Sequence, residues 1–305
     1  MTLSSPCGTP DGPRAMAVAA GVCVVVGEEL MSYSRSVPRF AANLGFLFPE
    51  HAFLDRFEAA RRAGFGAVEF AAPYGYSTSE IAARIADCRL ACVLVNLPMG
   101  DRAKGDYGIA CRPGREREFR ESVARGIEYA HALGVPQVNC IAGVAHPGEE
   151  RERLREILIT NLGFAAREFK AAGLGLLVEP LNDIDVPGFL VPRAHDVVAV
   201  LDAVGADNAA LQFDIYHNAM MEEDVGALLG ELAPRIRHVQ FADAPGRGEP
   251  GTGRLDFASL FARVDGIGYG GWVSAEYRPT RATASTLSWL AEFDQGTTGI
   301  VQMDR

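Results

Sequence analysis

Four polar side chains in the second half of the chain each stand at or near the end of a short apolar run. Glu179 closes Leu176-Leu177-Val178, Asp214 closes Leu211-Gln212-Phe213, Gln240 lies in Ile236-Arg237-His238-Val239-Gln240-Phe241, and Glu276 closes Trp272-Val273-Ser274-Ala275. They stand roughly 35, 26 and 36 residues apart, each spacing about one strand-plus-helix unit. A carboxylate at the end of a buried strand is costly to leave unpaired, and three of them together repel unless a cation holds them. An all-oxygen donor set suits a hard divalent ion such as Mg²⁺ or Mn²⁺, with positions left for water and substrate oxygens. His217, in Asp214-Ile215-Tyr216-His217, and Arg247, in the Gly-rich stretch after the Gln240 run, would hold an anionic substrate above the same place. The plainer alternative is that each acid is solvated or caps a following helix, which four residues in register weigh against.

The elements that must bring these residues together repeat along the chain. Apolar strand-like runs at 40–44, 67–70, 91–96, 137–141, 176–179, 211–214, 236–241 and 271–276 alternate with helix-length segments of mixed charge. The helices are expected at 50–63, 78–87, 115–133, 149–172, 193–204, 222–232, 257–264 and 282–293, with Thr78 capping the second. The Leu/Val run before Glu179 reads as a strand buried on both faces, stopped by Pro180. Eight such units without a break in composition predict a single (β/α)8 TIM barrel over 38–295, with an open doubly wound sheet as the alternative. In a barrel the strand ends converge on one mouth. Gly246-Arg247-Gly248-Glu249-Pro250-Gly251 matches a dinucleotide-binding pattern, but Pro250 stands where the helix would be under way, so it is expected to form a long active-site loop.

Composition bounds the function. A formal charge of −10 and a pI near 5.2 argue against nucleic acid or an anionic membrane as partner and favour small-molecule chemistry. The six cysteines lack paired spacing and read as reduced core thiols of a cytoplasmic protein. Residues 1–37 differ from the rest. Their apolar patch at 15–26 is too short to span a bilayer as a helix, and the alternatives are an export signal or an extension preceding a true start at Met31. This extension and a tail over 296–305 are expected to lie outside the barrel, the extension poorly ordered.

Val178-Glu179-Pro180-Leu181-Asn182, Phe213-Asp214-Ile215-Tyr216-His217, His238-Val239-Gln240-Phe241-Ala242-Asp243, Pro245-Gly246-Arg247, Glu249-Pro250-Gly251-Thr252-Gly253 and Glu276-Tyr277 together resemble the hydroxypyruvate isomerase family of xylose-isomerase-like barrels. The likeness runs from about Pro38 to Phe293. It implies Glu179, Asp214, Gln240 and Glu276 as metal ligands, with Glu179 and Glu276 also the proton-transfer pair. It implies further a divalent metal, a small hydroxy-oxo acid as substrate and self-association into a homo-oligomer. Arg254 departs from the family pattern, where an acidic residue is expected. The implied reaction interconverts hydroxypyruvate and tartronate semialdehyde through a metal-stabilised enediolate. A 2-oxo-tetronate isomerase or a related keto-sugar isomerase or epimerase is the alternative. A non-catalytic sugar-acid-binding barrel and an endonuclease IV-like repair enzyme are more remote. Phe46, Phe48, Tyr74 or the insertion between Asn96 and Arg115 are candidates for closing the pocket.

Overall fold

The computed structural model describes residues 38–293, so the expected extension over 1–37 and the tail over 296–305 lie outside the described residues. The strands are β1 Arg39–Asn43, β2 Ala67–Phe70, β3 Ala91–Asn96, β4 Gln137–Cys140, β5 Gly175–Val178, β6 Ala209–Asp214, β7 Ile236–Phe241 and β8 Trp272–Ala275. They lie parallel in chain order and close into a barrel, β1 pairing β8 from Arg39↔Trp272 to Ala42↔Ala275. The helices between them are α1 Arg56–Arg62, α2 Thr78–Cys88, α3 Glu116–Leu133, α4 Arg151–Ala171, α5 Ala194–Val204, α6 Ile215–Met220, α7 Val225–Glu231, α8 Phe257–Gly266 and α9 Ser288–Phe293. No helix among the described residues is long and apolar enough to cross a membrane.

Side chains alternate across a strand, so each strand serves two cores. One alternate set, including Phe40, Ala42, Val68, Phe70, Leu176, Val178, Leu211, Phe213, Val239 and Phe241, joins the helices in the main hydrophobic core. Phe241 is a hinge point of that layer, meeting Phe40, Phe257, Phe261 and Trp289 edge-on at 5.1–6.1 Å and so tying β1 and β7 to α8 and α9. Burying one such ring is worth about 1.5–3 kcal/mol. The other set forms small separate clusters, Ala41 with Ala67 and Val93, and Leu94 with Leu177 and Ala210. Two residues further along the strands it turns polar: Asn43, Glu69, Asn96, Glu179 and Gln212 are all buried. The barrel interior is therefore apolar towards the N-terminal ends of the strands and polar towards their C-terminal ends.

The expected helices differ at their edges for local reasons. Ser77, not Thr78, caps α2: its hydroxyl accepts from Glu80 N at 3.3 Å while its own N–H donates to the Glu80 carboxylate at 2.9 Å, a reciprocal capping box. The first and last helices begin as separate 3₁₀ turns, Phe53–Asp55 and Thr283–Thr286. A short α6 that the apolar pattern does not reveal starts directly on Asp214. Among the described residues the cysteines, Cys88, Cys92, Cys111 and Cys140, are buried and unpaired, as the absence of paired spacing leads one to expect.

Candidate active site

Glu179 follows β5, Asp214 ends β6 and Glu276 follows β8, and all three are buried at the C-terminal mouth. Each has one oxygen tied down by a neighbour. Glu179 Oε2 accepts from Asn139 Nδ2 at 2.8 Å, and Glu276 Oε1 accepts from Asn43 Nδ2 at 2.8 Å. Asp214 Oδ1 accepts from Tyr216 N at 2.8 Å and so caps α6, while its Oδ2 faces Arg247 at 3.4 Å. Helix capping and site chemistry are thus divided between two oxygens of one side chain.

Arg247 lies among these acids. Its guanidinium is ion-paired with Glu276, and its Nε donates to the Glu276 carbonyl oxygen at 3.2 Å. The rings of Phe46 and Tyr216 lie 4.6 and 4.9 Å from its guanidinium carbon. The Gly-rich loop holds it there in a left-handed backbone conformation, φ 57°. The loop itself is organised by the buried Asp243. Its two oxygens accept from the backbone N–H groups of Ala244 (2.8 Å), Leu255 (3.1 Å), Gly251 (2.9 Å) and Gly253 (2.7 Å). A β-carbon at position 253 would come within 2.4 Å of the Ala244 carbonyl oxygen, so only glycine fits. Arg254 points elsewhere, donating to the Ala219 carbonyl at the end of α6 at 3.0 Å.

His217 is fully enclosed, and its state can be read from its neighbours. Nδ1 accepts from the Asn182 backbone N–H at 3.1 Å, so in a neutral ring the proton sits on Nε2. Burial, with the Arg247 charge added, holds its pKa well below the ordinary value, and the ring is neutral. Nε2 has no hydrogen-bond partner among the described residues and stands 3.6 Å from Asp214 Oδ2. Donor atoms of Glu179, Asp214 and His217 lie within 4.8 Å of one another, a spacing that a cation could bridge. The protonated Nε2 makes His217 a hydrogen-bond donor to an incoming oxygen rather than a ligand in this tautomer.

Gln240 stands opposite Asp214 in the β6–β7 register and is buried. Its Nε2 donates to Glu69 at 2.6 Å and its Oε1 accepts from Gln212 Nε2 at 2.6 Å. The remaining lone pair of that oxygen leaves room for the ligand role implied by the resemblance. Three carboxylates face one guanidinium, and burial first, then their mutual repulsion, pushes Glu179 well above the usual carboxylate range. Burial likewise raises Asp214 and Glu276 against the opposing pull of Arg247. Oxygen-rich donors, an excess of negative charge and several buried polar atoms without partners, Asn139 Oδ1 and Ser274 Oγ among them, fit a divalent cation.

A family model described as the xylose isomerase-like TIM barrel matches residues 57–293. The chain belongs to the xylose isomerase-like TIM barrel family. Within it, the chain is 43% identical over 252 residues to hydroxypyruvate isomerase of Escherichia coli, covering 83% of this chain and 98% of that protein. It is 42% identical over 257 residues to 2-oxo-tetronate isomerase of Cupriavidus necator, covering 84% and 99%. A crystal structure from Brucella melitensis, named AP endonuclease, family 2, superposes with a TM-score of 0.82 at 39% identity, covering 84% of this chain and 99% of that one. The sequence resemblance to hydroxypyruvate isomerases therefore holds over most of the chain.

The strand-end pattern misses Asn43, Asn139 and Asn182, which hydrogen-bond Glu276, Glu179 and His217, and Glu69, which meets Gln240 and is itself met by His238. Asn43 and Asn139 end or nearly end β1 and β4, so the same signal is present in the first half of the chain, carried by amides rather than acids. Of the proposed pocket walls, Phe46 stands at the mouth against Arg247. Phe48 is core, and Tyr74 donates to the Asn96 carbonyl oxygen at 2.6 Å, bracing the end of β3.

Proposed function

We propose that the chain interconverts hydroxypyruvate and tartronate semialdehyde, Glu179 and Glu276 moving the protons. The observation that carries this reading is the buried cluster in which these two carboxylates flank Asp214 and Arg247 at the barrel mouth. Held by Glu179, Asp214, Gln240 and Glu276, a bound Mg²⁺ or Mn²⁺ would supply electrophilic polarisation of the substrate carbonyl. Arg247 binds the substrate carboxylate through its planar fork, and the Nε2–H of His217 donates to a substrate oxygen. One glutamate takes a proton from C3 of hydroxypyruvate, and the other returns a proton to C2 of the resulting enediolate. A proton passes between the two substrate oxygens, and nothing else is gained or lost. Carboxyls raised by burial are suited to this work, because general acid-base groups act best near the operating pH.

A second reading, isomerisation of a 2-oxo-tetronate, uses the same residues with one more substrate carbon, and is favoured by the 42% identity to a protein named for that activity. The endonuclease name of the Brucella structure does not transfer readily. The chain carries a formal charge of −10, and the candidate metal-ligating group among the described residues, Glu179, Asp214 and His217, holds a single histidine. A cytoplasmic location, resting on the buried unpaired thiols, and self-association, resting on the family resemblance, complete the proposal.

Proton NMR in D₂O with each acid, with and without chelator, tests both readings. Wild type is expected to convert at least one acid with deuterium incorporation and to lose activity on chelation. Glu179→Gln and Glu276→Gln should each lose about 10²–10⁴-fold. Full deuterium exchange in both variants would remove the two-glutamate scheme.

A further inference from the structure

Glu69 is a fully buried carboxylate inside the barrel with no part in the proton transfers above. Its Oε1 lies 2.8 Å from Asn43 Nδ2 and 2.6 Å from Gln240 Nε2, and its Oε2 lies 2.6 Å from His238 Nε2. The direction of these bonds follows from one backbone group. Gly45 N–H donates to Asn43 Oδ1 at 2.9 Å, so the other end of that amide, Nδ2, is what faces both Glu69 and Glu276. Glu69 Oε1 is therefore an acceptor. Gln240, sharing the same oxygen, must meet it with its NH₂, which turns its carbonyl oxygen away from Glu69. Only that oxygen can accept a hydrogen bond or bind a cation. The Asn43 amide in turn fixes one oxygen of Glu276, leaving the other for Arg247 and the substrate.

We propose that Glu69 is the positioning residue of the active site, setting the polarity of Gln240 directly and the orientation of Glu276 through Asn43. This rests on the isomerase reading for its kinetic consequence, but not for its effect on cation binding. In Glu69→Gln the shape is kept while an NH₂ enters the hub. The Gln240 amide then loses the carboxylate that ties its NH₂ and keeps only the Gln212 Nε2 donor on its oxygen. Gln212, whose own Oε1 has no partner among the described residues, can turn with it, and the Asn43 bridge loses its shared acceptor.

The test measures Mn²⁺ affinity by electron paramagnetic resonance and steady-state kinetics with hydroxypyruvate and 2-oxo-tetronate on the full chain. Glu69→Gln is expected to weaken Mn²⁺ binding by about 10–100-fold and to lower kcat similarly, with KM within about threefold, as when a ligand loses its outer partner. Asn43→Ala leaves the Gln240 arm in place but frees one oxygen of Glu276, so kcat should fall about tenfold and Mn²⁺ affinity should fall by less than in Glu69→Gln. Leu177→Ala, a cavity in the apolar part of the interior, should lower Tm while leaving the Mn²⁺ affinity and KM of the folded protein alone. Glu69→Gln with wild-type Mn²⁺ affinity and kcat, or Leu177→Ala with equal losses, overturns the proposal. If Glu69→Gln does not fold, an unchanged kcat in Asn43→Ala does so. A wild-type protein that binds Mn²⁺ but converts neither acid sinks the isomerase reading alone, and the role of Glu69 is then decided by the Mn²⁺ arm.

Discussion

At the scale of single residues, Arg247 has three carboxylates within its electrostatic reach and two aromatic rings against its guanidinium. Arg247→Met keeps a stem against Phe46 and Tyr216 but removes the charge and the fork. Losing a charge-assisted hydrogen bond costs about 1.5–3 kcal/mol, so KM for the acid substrate should rise about 10–100-fold. Arg247→Lys, with charge but no planar fork, should fall between the two. Steady-state kinetics decide the matter, and an unchanged KM in the Met variant would remove Arg247 from substrate binding. The contrast between Glu179 and Glu69 shows where residue-level legibility stops. Glu179 is marked by the apolar run it ends and by Pro180 after it. Glu69 sits between Val68 and Phe70 in a strand buried throughout, and its partners Asn43, His238 and Gln240 come from β1 and β7. Nothing local distinguishes it; only closure of the barrel brings β7 across to β2.

At the scale of elements, the insertion after β3 is fastened to the loop after β4. Arg112 donates to both oxygens of Glu149 at 2.7 and 2.8 Å and to the Val144 carbonyl at 3.1 Å. Gly108 packs so closely on Ile141 that a β-carbon would lie 2.1 Å from its carbonyl oxygen. The Arg112 hydrogen bonds hold the Glu149 carboxyl down at about 2, against an ordinary 4.5. A carboxyl lowered on folding contributes stability that is fully present above about 4.5 and is lost as pH falls towards 2. The pair is partly solvated, so its worth is about 1 kcal/mol or less rather than the full shift. Thermal unfolding should find Glu149→Gln less stable than wild type at neutral pH, the gap narrowing below pH about 4. A gap that widens on acidification would contradict this. The strands and most helices of this layer follow from hydrophobic period and turn residues, and the observed boundaries fall close to those expected. The clamp does not, because Arg112 and Glu149 are two ordinary surface-type residues whose meeting depends on two loops crossing.

At the scale of the whole molecule, the barrel was legible because eight apolar runs alternate with charged helices, and the mouth because polar residues recur one unit apart. What escaped was the second polar level, in which Gln212, His238 and Glu69 lie inside the barrel where an apolar filling is usual. The Gly-rich loop after β7 carries the last consequence. By composition it is a flexible, water-exposed segment, yet four of its backbone N–H groups end on Asp243. Its amides at Gly251, Gly253 and Leu255 should therefore exchange with deuterium on the timescale of the barrel strands, not that of free loops. Asp243→Asn, which retains only one acceptor oxygen, should release part of that protection. Hydrogen exchange followed by mass spectrometry would show it, and fast exchange of these amides in wild type would mean that the loop opens independently. A loop that exchanges with the strands is part of the wall of the site, so that substrate enters past it without waiting for it to move.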